Sequence, residues 1–425
     1  MDDVLPNPEP ALEPVRIIHK EQDSIAAFSL NQVNNGQIVV ATTKELQEME
    51  ISLLLELPAW LEDECELDIL NLNKELPDPS VPPFLVIQSS GDKEKTTQPG
   101  SPTSGIASQS GRGASVMKGL TFPGCHDANF VHLVLLRSAH MLRPILKHKI
   151  DGVRRITAHP LLPLYLTGGQ DGSVHLYEWN HEQPVAVPRP PGTYAKVTRV
   201  RFSQHGNKFG VGDSDGNLSL FQVGMSVNAT RPFFTLQCHN KGIGDFVFLG
   251  SCSLLATAGH SSESKNVCIW DSIMPQGKAL VVAFTCHDQG ASSLVFAPQH
   301  QVLISAGKKG DVCLIDVRQK AIRHKFQAHE TAVKCIAIDP HEDYFATGSA
   351  DGDIKIWGVS VPSVLLALPA EHAKSSFFKN IGSGVTQLHI DAHGRLFSCG
   401  SDGSMKVRQL PDRETLLNHH NHNNK

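Results

Sequence analysis

No two cysteines of this chain stand in a C-x-x-C pair. The nine are scattered from Cys65 to Cys399, and Cys268, Cys313 and Cys335 fall inside apolar runs. That usage speaks against a disulfide framework and reads as reduced, buried thiols in the cytosol. A basic excess is also missing: the formal net charge is −5, whereas nucleic-acid binding needs a concentrated basic face. No charged-then-apolar leader opens the sequence. The apolar run Phe130 to Leu136 is short and interrupted by His132, so neither secretion nor a membrane span is expected. Catalytic motifs are absent too, with no Gly-x-Ser-x-Gly elbow and no Walker lysine. Gly210-Val-Gly212 runs into Asp213-Ser-Asp-Gly216 without the helix a phosphate loop requires, so it reads as a hairpin. His329-Glu330 lacks the second histidine of a zinc helix, and His419, His420 and His422 fall in an Asn/His-rich tail. No enzyme, metal or cofactor is expected.

What is present is a repeat. Hydrophobic content of 40% permits a sizeable core. From Ala328 to Trp357, three alternating runs are separated by the turn signals Asp339-Pro340 and Asp351-Gly352, the pattern of a three-strand meander. It resembles a WD40 repeat, with His329 before the first strand, Asp351-Gly352 in the tight turn and Trp357 closing the third. Thr347 and Ser349 lie two apart, so their hydroxyls share a face. One of them is expected to accept from the Trp357 indole while His329 bridges towards Asp351, a structural network rather than a catalytic pair.

Five further copies run over Val153–Trp179, Val197–Gln222, Ile243–Asp271, Ala291–Asp316 and Val385–Gln409, and a seventh over Ile25–Glu50. The period of roughly 40–50 residues is that of propeller blades. The expected fold is therefore all-β, a seven-bladed WD40 β-propeller with a long, partly disordered insertion in the first blade. An open array would leave raw sheet edges. Val15–Ile18 is the natural outer strand of the last blade, closing the ring. The chain divides into a tail (1–14), the closing strand and first blade (15–50), the insertion (51–141), the remaining blades (142–410) and a disordered tail (411–425). Arg143–Lys147 reads as the first blade's outer strand. Ser89–Ser115, rich in Ser, Gly, Thr and Pro, cannot bury a core and is expected to be mobile.

Three strings are more specific than any Asp-Gly turn: Arg154-Arg-Ile-Thr-Ala-His-Pro160, Leu166-Thr-Gly-Gly-Gln-Asp-Gly-Ser-Val-His-Leu-Tyr-Glu-Trp179 and Val200-Arg-Phe-Ser-Gln-His-Gly-Asn-Lys-Phe-Gly-Val-Gly-Asp-Ser-Asp-Gly216. They resemble the carboxy-terminal propeller of the rabconnectin-3 / DmX-like family, whose members are very large WD-repeat scaffolds. The likeness covers roughly Val15 to Val407. It implies regulation of vacuolar proton-pumping ATPase assembly on vesicles and contact with regulators of Rab GTPases. The implied location is cytoplasmic, held peripherally at vesicle or endomembrane surfaces through partners.

Within the insertion, Trp60, Leu61, Ile69 and Leu70 are large apolar residues in acidic surroundings. They read either as a helix packed on its own blade or as an amphipathic segment that docks in a partner's groove. With strands lettered a to d from the channel outward, the insertion leaves on the face shared by the a–b and c–d connections, opposite the Asp-Gly turns. Other readings are a substrate adaptor of a ubiquitin ligase and a propeller enzyme. The latter needs charged groups converging on the central channel.

Overall fold

The computed structural model describes residues 15–19, 23–55, 143–148, 150–188, 195–224, 230–250, 253–261, 265–372 and 384–422. Seven antiparallel sheets surround one channel, each a blade built outward from an inner strand. Blade 1 comprises Ile25–Leu30, Gln37–Thr42, Leu46–Glu50 and, beyond the insertion, Arg143–His148. Pro144 sits in that outer strand, where a missing N–H costs little. Blade 2 has three strands, Val153–Ala158, Leu164–Gly169 and Val174–Glu178, with a lone bridge from Leu176 to Ala186 in place of a fourth. The inner strands of blades 3 to 6 are Val197–Phe202, Ile243–Phe248, Ala291–Ala297 and Val333–Ile338.

Blade 7 holds Val385–Ile390, Arg395–Gly400 and Ser404–Gln409, and its outer strand comes from the start of the chain. Val15–His19 pairs antiparallel with Ser404–Gln409, Val15 opposite Val407 and His19 opposite Ser404. Each inner strand lies against the next, and Val385–Ile390 lies against Ile25–Leu30. The ring is closed.

Burial falls from the middle of each blade to its rim. The second strand of blade 5, Val302–Gly307, is buried throughout, whereas the outer strand Ala321–Gln327 is almost wholly exposed. Both faces of a middle strand pack on neighbouring blades, which is why those strands read as continuous apolar runs. The core is accordingly seven layers, one between each pair of blades. Phe28, Ile38 and Met49 of blade 1, for example, meet Phe397 and Met405 of blade 7. The turn glycine between second and third strands is required by its position. Gly310 has φ +88°, and a Cβ there would stand 2.0 Å from the His329 carbonyl oxygen.

Every inner strand carries a register shift near its start, as between Ile243 and Asp245 or Val333 and Cys335. Such a bulge re-aims the side chains beside it. Here it turns the third residue of each inner strand towards the neighbouring blade and the channel wall.

Two segments depart from the repeat. Ser52–Leu55 forms one helical turn where the insertion leaves blade 1, and the Arg395 guanidinium of blade 7 donates to the Leu55 carbonyl at 3.2 Å. The rest of the insertion up to residue 142, including Trp60, Leu61, Ile69, Leu70 and Ser89–Ser115, lies outside the described residues. The second is the segment expected as a disordered tail. Arg413–His422 is instead an α-helix. Asp412 precedes it and Glu414 lies in its first turn, both favourable near a helix N-terminus. Leu416 is buried among Leu410, Ile390 and Leu396, and Arg413 pairs with Asp343 of blade 6. One buried leucine and one ion pair supply what an Asn/His-rich sequence lacks in propensity.

Candidate functional site

Polar networks hold the blades, and they come in two forms. In blade 6 the Trp357 indole N–H donates to Thr347 Oγ1 at 2.9 Å, and His329 Nε2 lies 2.8 Å from the same oxygen. Blade 4 repeats this with Trp270, Thr257 and His239. Ser349 stands apart from the indole, its Oγ accepting from the Asp353 N–H at 3.1 Å. Blades 5 and 7 use a carboxylate and no tryptophan. His287 sits 2.6 Å from both Asp311 Oδ2 and Ser305 Oγ, while His372 lies 3.0 Å from Asp402 and 2.8 Å from Ser398. A histidine–carboxylate bridge is thus present in blades 5 and 7, and in blade 6 His329 Nε2 meets Thr347 Oγ1.

Burial, the largest cause, pushes the pKa of both His239 and His329 down to about 4. Both stay neutral when folded but take up a proton near pH 6.5 when unfolded. Stability is therefore full above about pH 6.5 and is lost as pH falls from there towards 4. Urea midpoints measured across that window check the sign. Trp357→Phe keeps ring bulk but deletes the indole donor, and His329→Ala leaves Thr347 short of a partner. Each is expected to cost about 1–3 kcal/mol in urea unfolding.

Blade 2 breaks the scheme. His148, at the end of the blade 1 outer strand, lies 3.0 Å from Glu48 and 2.8 Å from the Tyr165 hydroxyl. Tyr165 donates to Glu48 at 2.7 Å, and the Asn180 N–H donates to the other carboxylate oxygen. Burial first, then the Glu48 charge, drives the Tyr165 pKa upward. With His148 so engaged, Thr167 Oγ1 and Trp179 Nε1 are left unpaired. This cluster ties blade 1 to blade 2, and sequence inspection missed it because Glu48 and His148 stand 100 positions apart.

The inner strands bring a second unforeseen group together. Asp245 of blade 4, 1% exposed, is the hub. Arg201 of blade 3 grips it with Nε at 3.0 Å and Nη2 at 2.9 Å, and Ser293 Oγ donates at 3.1 Å. The N–H groups of Phe246 and Leu294 add two more bonds. Arg199 Nε lies 2.7 Å from Asp245 Oδ1, but its angle makes this an ion pair rather than a hydrogen bond. Burial raises the Asp245 pKa, yet Arg199 and Arg201 outweigh it and hold the carboxyl below its ordinary value. Among the described residues, no three His, Cys, Asp or Glu side chains are grouped to hold a metal ion, and no helix is long and apolar enough to cross a membrane.

The two faces of the ring differ in kind. Among the described residues, the exposed large apolar side chains in connecting loops are Val33, Leu161, Leu162, Ile273, Met274, Val361 and Val187. The first six lie in a–b or c–d connections, whereas Val187 lies in the connection from blade 2 to blade 3. Phe233, Leu280, Ile322 and Val364 are exposed at the same ends of outer strands. Both non-repeat segments, the insertion stem and the helix Arg413–His422, also follow third strands and leave on this face. Among the described residues, Val187 alone of this set lies in a connection of the Asp-Gly turn face.

Seven meandering sheets, six of four strands and one of three, closed by a strand from the other end of the chain, define a WD40 β-propeller, a class of protein-binding scaffold. The family model for the WD domain, G-beta repeat, matches residues 230–271 and 320–358. The chain is 43% identical over 421 residues to DmX-like protein 1 of Mus musculus and 42% identical over the same length to that of Homo sapiens. It therefore belongs to the WD40 portion of the rabconnectin-3 / DmX-like family. Each match takes in 95% of this chain and 13% of the relative, so the chain spans about an eighth of their length. A chain in the crystal structure of the mitotic checkpoint complex has the same fold, with TM-score 0.59 and 13% identity, over 97% of this chain and 98% of that one.

Proposed function

We propose that this propeller is a non-enzymatic docking module of the machinery that assembles and regulates the vacuolar proton-pumping ATPase on vesicles. Its partners are pump subunits or assembly factors, with Rab GTPase regulators among the proteins it contacts. It works in the cytoplasm, held at vesicle surfaces by those partners. The partner class rests on what the resemblance to the rabconnectin-3 / DmX-like family implies.

The binding face rests on one observation, the concentration of exposed loop apolars on the a–b/c–d side, six against one. Apolar groups left in water on a folded domain mark interaction sites when they collect on one surface. Trp60, Leu61, Ile69 and Leu70 are assigned to the same partner contact, since the insertion that carries them joins Leu46–Glu50 to Arg143–His148 on that side.

Two sets of substitutions test the reading. Leu161→Ser with Leu162→Ser and Ile273→Ser, or alanine at the four insertion positions, is expected to weaken capture of purified pump subunits at least about tenfold with melting unchanged, the effect of removing interface anchors. Substitutions at Asp171, Asp215 and Asp351 on the opposite face are expected to leave capture intact. The reverse outcome places the partner on the Asp-Gly side.

A further inference from the structure

The inner wall of the propeller holds more positive charge than it neutralises. Arg155 from blade 2 and Arg199 and Arg201 from blade 3 stand on adjacent inner strands. The carboxylate that answers them is Asp245, and Arg201 takes it in the two-pronged fashion guanidinium favours. Arg199 reaches the same carboxylate through Nε alone. Arg155 reaches only carbonyl oxygens, donating from Nε to Thr198 at 2.6 Å and from Nη1 to Arg154 at 2.8 Å. Among the described residues, Nη2 of Arg155 and both Nη atoms of Arg199 therefore have no hydrogen-bond partner. None of the three is fully enclosed, and both side chains are half-buried.

At the matching positions the other inner strands offer no second carboxylate, and the acids of this face, among them Asp151, Asp171 and Asp215, stand in its loops and turns. The corresponding positions of the other inner strands are Ser293, Cys335, Gln387 and Ala27. Gln387 is spent on the Phe28 backbone, accepting from its N–H and donating to its carbonyl. Burial pushes the Cys335 thiol upward and lifts Cys399 to about 12, so both stay protonated. Lys196 and Lys334 are exposed at the d–a end of blades 3 and 6, adding positive charge at that mouth. Burial, with Arg201 next, lowers the Arg199 pKa to about 10, and Arg155 repels it as well. An anion between them relieves that repulsion.

We infer that Arg155 and Arg199 form an anion site at the d–a end of the channel, which takes a phosphate group. Two open guanidinium edges on neighbouring blades suit a tetrahedral oxyanion, which accepts several N–H bonds at once. A phosphate monoester on a soluble molecule and one on a lipid headgroup share this chemistry.

Calorimetry on the full chain at low salt tests the site, with inorganic phosphate, pyrophosphate and inositol hexakisphosphate as soluble probes. Vesicles of phosphatidylcholine, with and without phosphatidylinositol bisphosphate, provide the lipid arm. Binding is expected to strengthen with phosphate count and to weaken as salt rises. Arg155→Gln and Arg199→Gln are each expected to weaken it at least about tenfold, as loss of a charge-assisted pair requires, while Lys278→Gln leaves it unchanged. Soluble binding without vesicle binding assigns a free phosphate; binding to both assigns a headgroup.

Phenylglyoxal modification of the unaltered chain supplies a readout independent of variant folding. Inositol hexakisphosphate is expected to shield Arg155 and Arg199, mapped by mass spectrometry. The proposal is overturned if no phosphate probe binds, or if binding ignores both substitutions and leaves both arginines reactive. It is equally overturned if a glutamate-rich peptide binds more tightly than every phosphate probe through the same arginines.

Discussion

Deleting residues 1–22 leaves the chain insoluble or unfolded. The segment contains Val15–His19, whose backbone pairs with Ser404–Gln409 from Val15 opposite Val407 to His19 opposite Ser404. Without it, the third strand of blade 7 presents a row of unpaired N–H and C=O groups, the template for edge-to-edge association. The loss spreads beyond one blade, since blades 7 and 1 share a packed layer containing Ile25, Phe28, Phe397 and Met405. Gel filtration of the deleted chain reads the effect as aggregate or a collapsed soluble yield. Appending the same residues after residue 425 through a flexible linker is expected to restore a soluble ring. Outer strands in five of the other blades already follow their third strands in sequence. A deleted chain that stays monomeric and melts unchanged removes the closing role from this strand.

The copies could be read because each meander is local. Asp351-Gly352 and the alternation of Ile354-Lys-Ile-Trp357 are signals within a few residues, and the b–c turn demands glycine at the following position. What could not be read was assembled between blades. Glu48, His148 and Tyr165 come from three strands, and nothing within Leu46-Gln-Glu-Met-Glu50 distinguishes the buried Glu48 from an exposed acid. Arg155, Arg199, Arg201 and Asp245 look like ordinary polar positions in alternating strands. Only the bulge at each inner strand and the rotation from blade to blade bring them to one wall. The helix Arg413–His422 escaped for another reason. Composition argued against order, and docking of Leu416 between strands of distant sequence supplied it.

Asp245→Ala is expected to destabilise the ring by about 3–5 kcal/mol, the scale for removing one partner of a buried ion pair. The carboxylate accepts from Arg201, Ser293 and the N–H groups of Phe246 and Leu294, with Arg199 beside it. Alanine removes that acceptor from all of them, leaving Arg201 only the Leu294 carbonyl, and takes from the three inner-wall guanidinium groups the carboxylate that answers them. Asp245→Asn preserves shape and some hydrogen bonds, so its urea midpoint falls between those of alanine and aspartate. The pH dependence has a definite sign. The folded-state pKa is depressed, so the carboxylate's stabilisation is present above the unfolded value of about 3.9 and is lost as pH falls through the folded one. That window lies below the loss caused by His239 and His329, so the two contributions separate in an acid titration. Phosphate supplies the missing charge from outside. Added to Asp245→Ala, it is expected to raise the melting temperature more than it does for the unaltered chain, since an anion among Arg155, Arg199 and Arg201 replaces the deleted carboxylate. A variant that unfolds at the unaltered midpoint, indifferent to phosphate, shows that water in the channel already compensates these arginines.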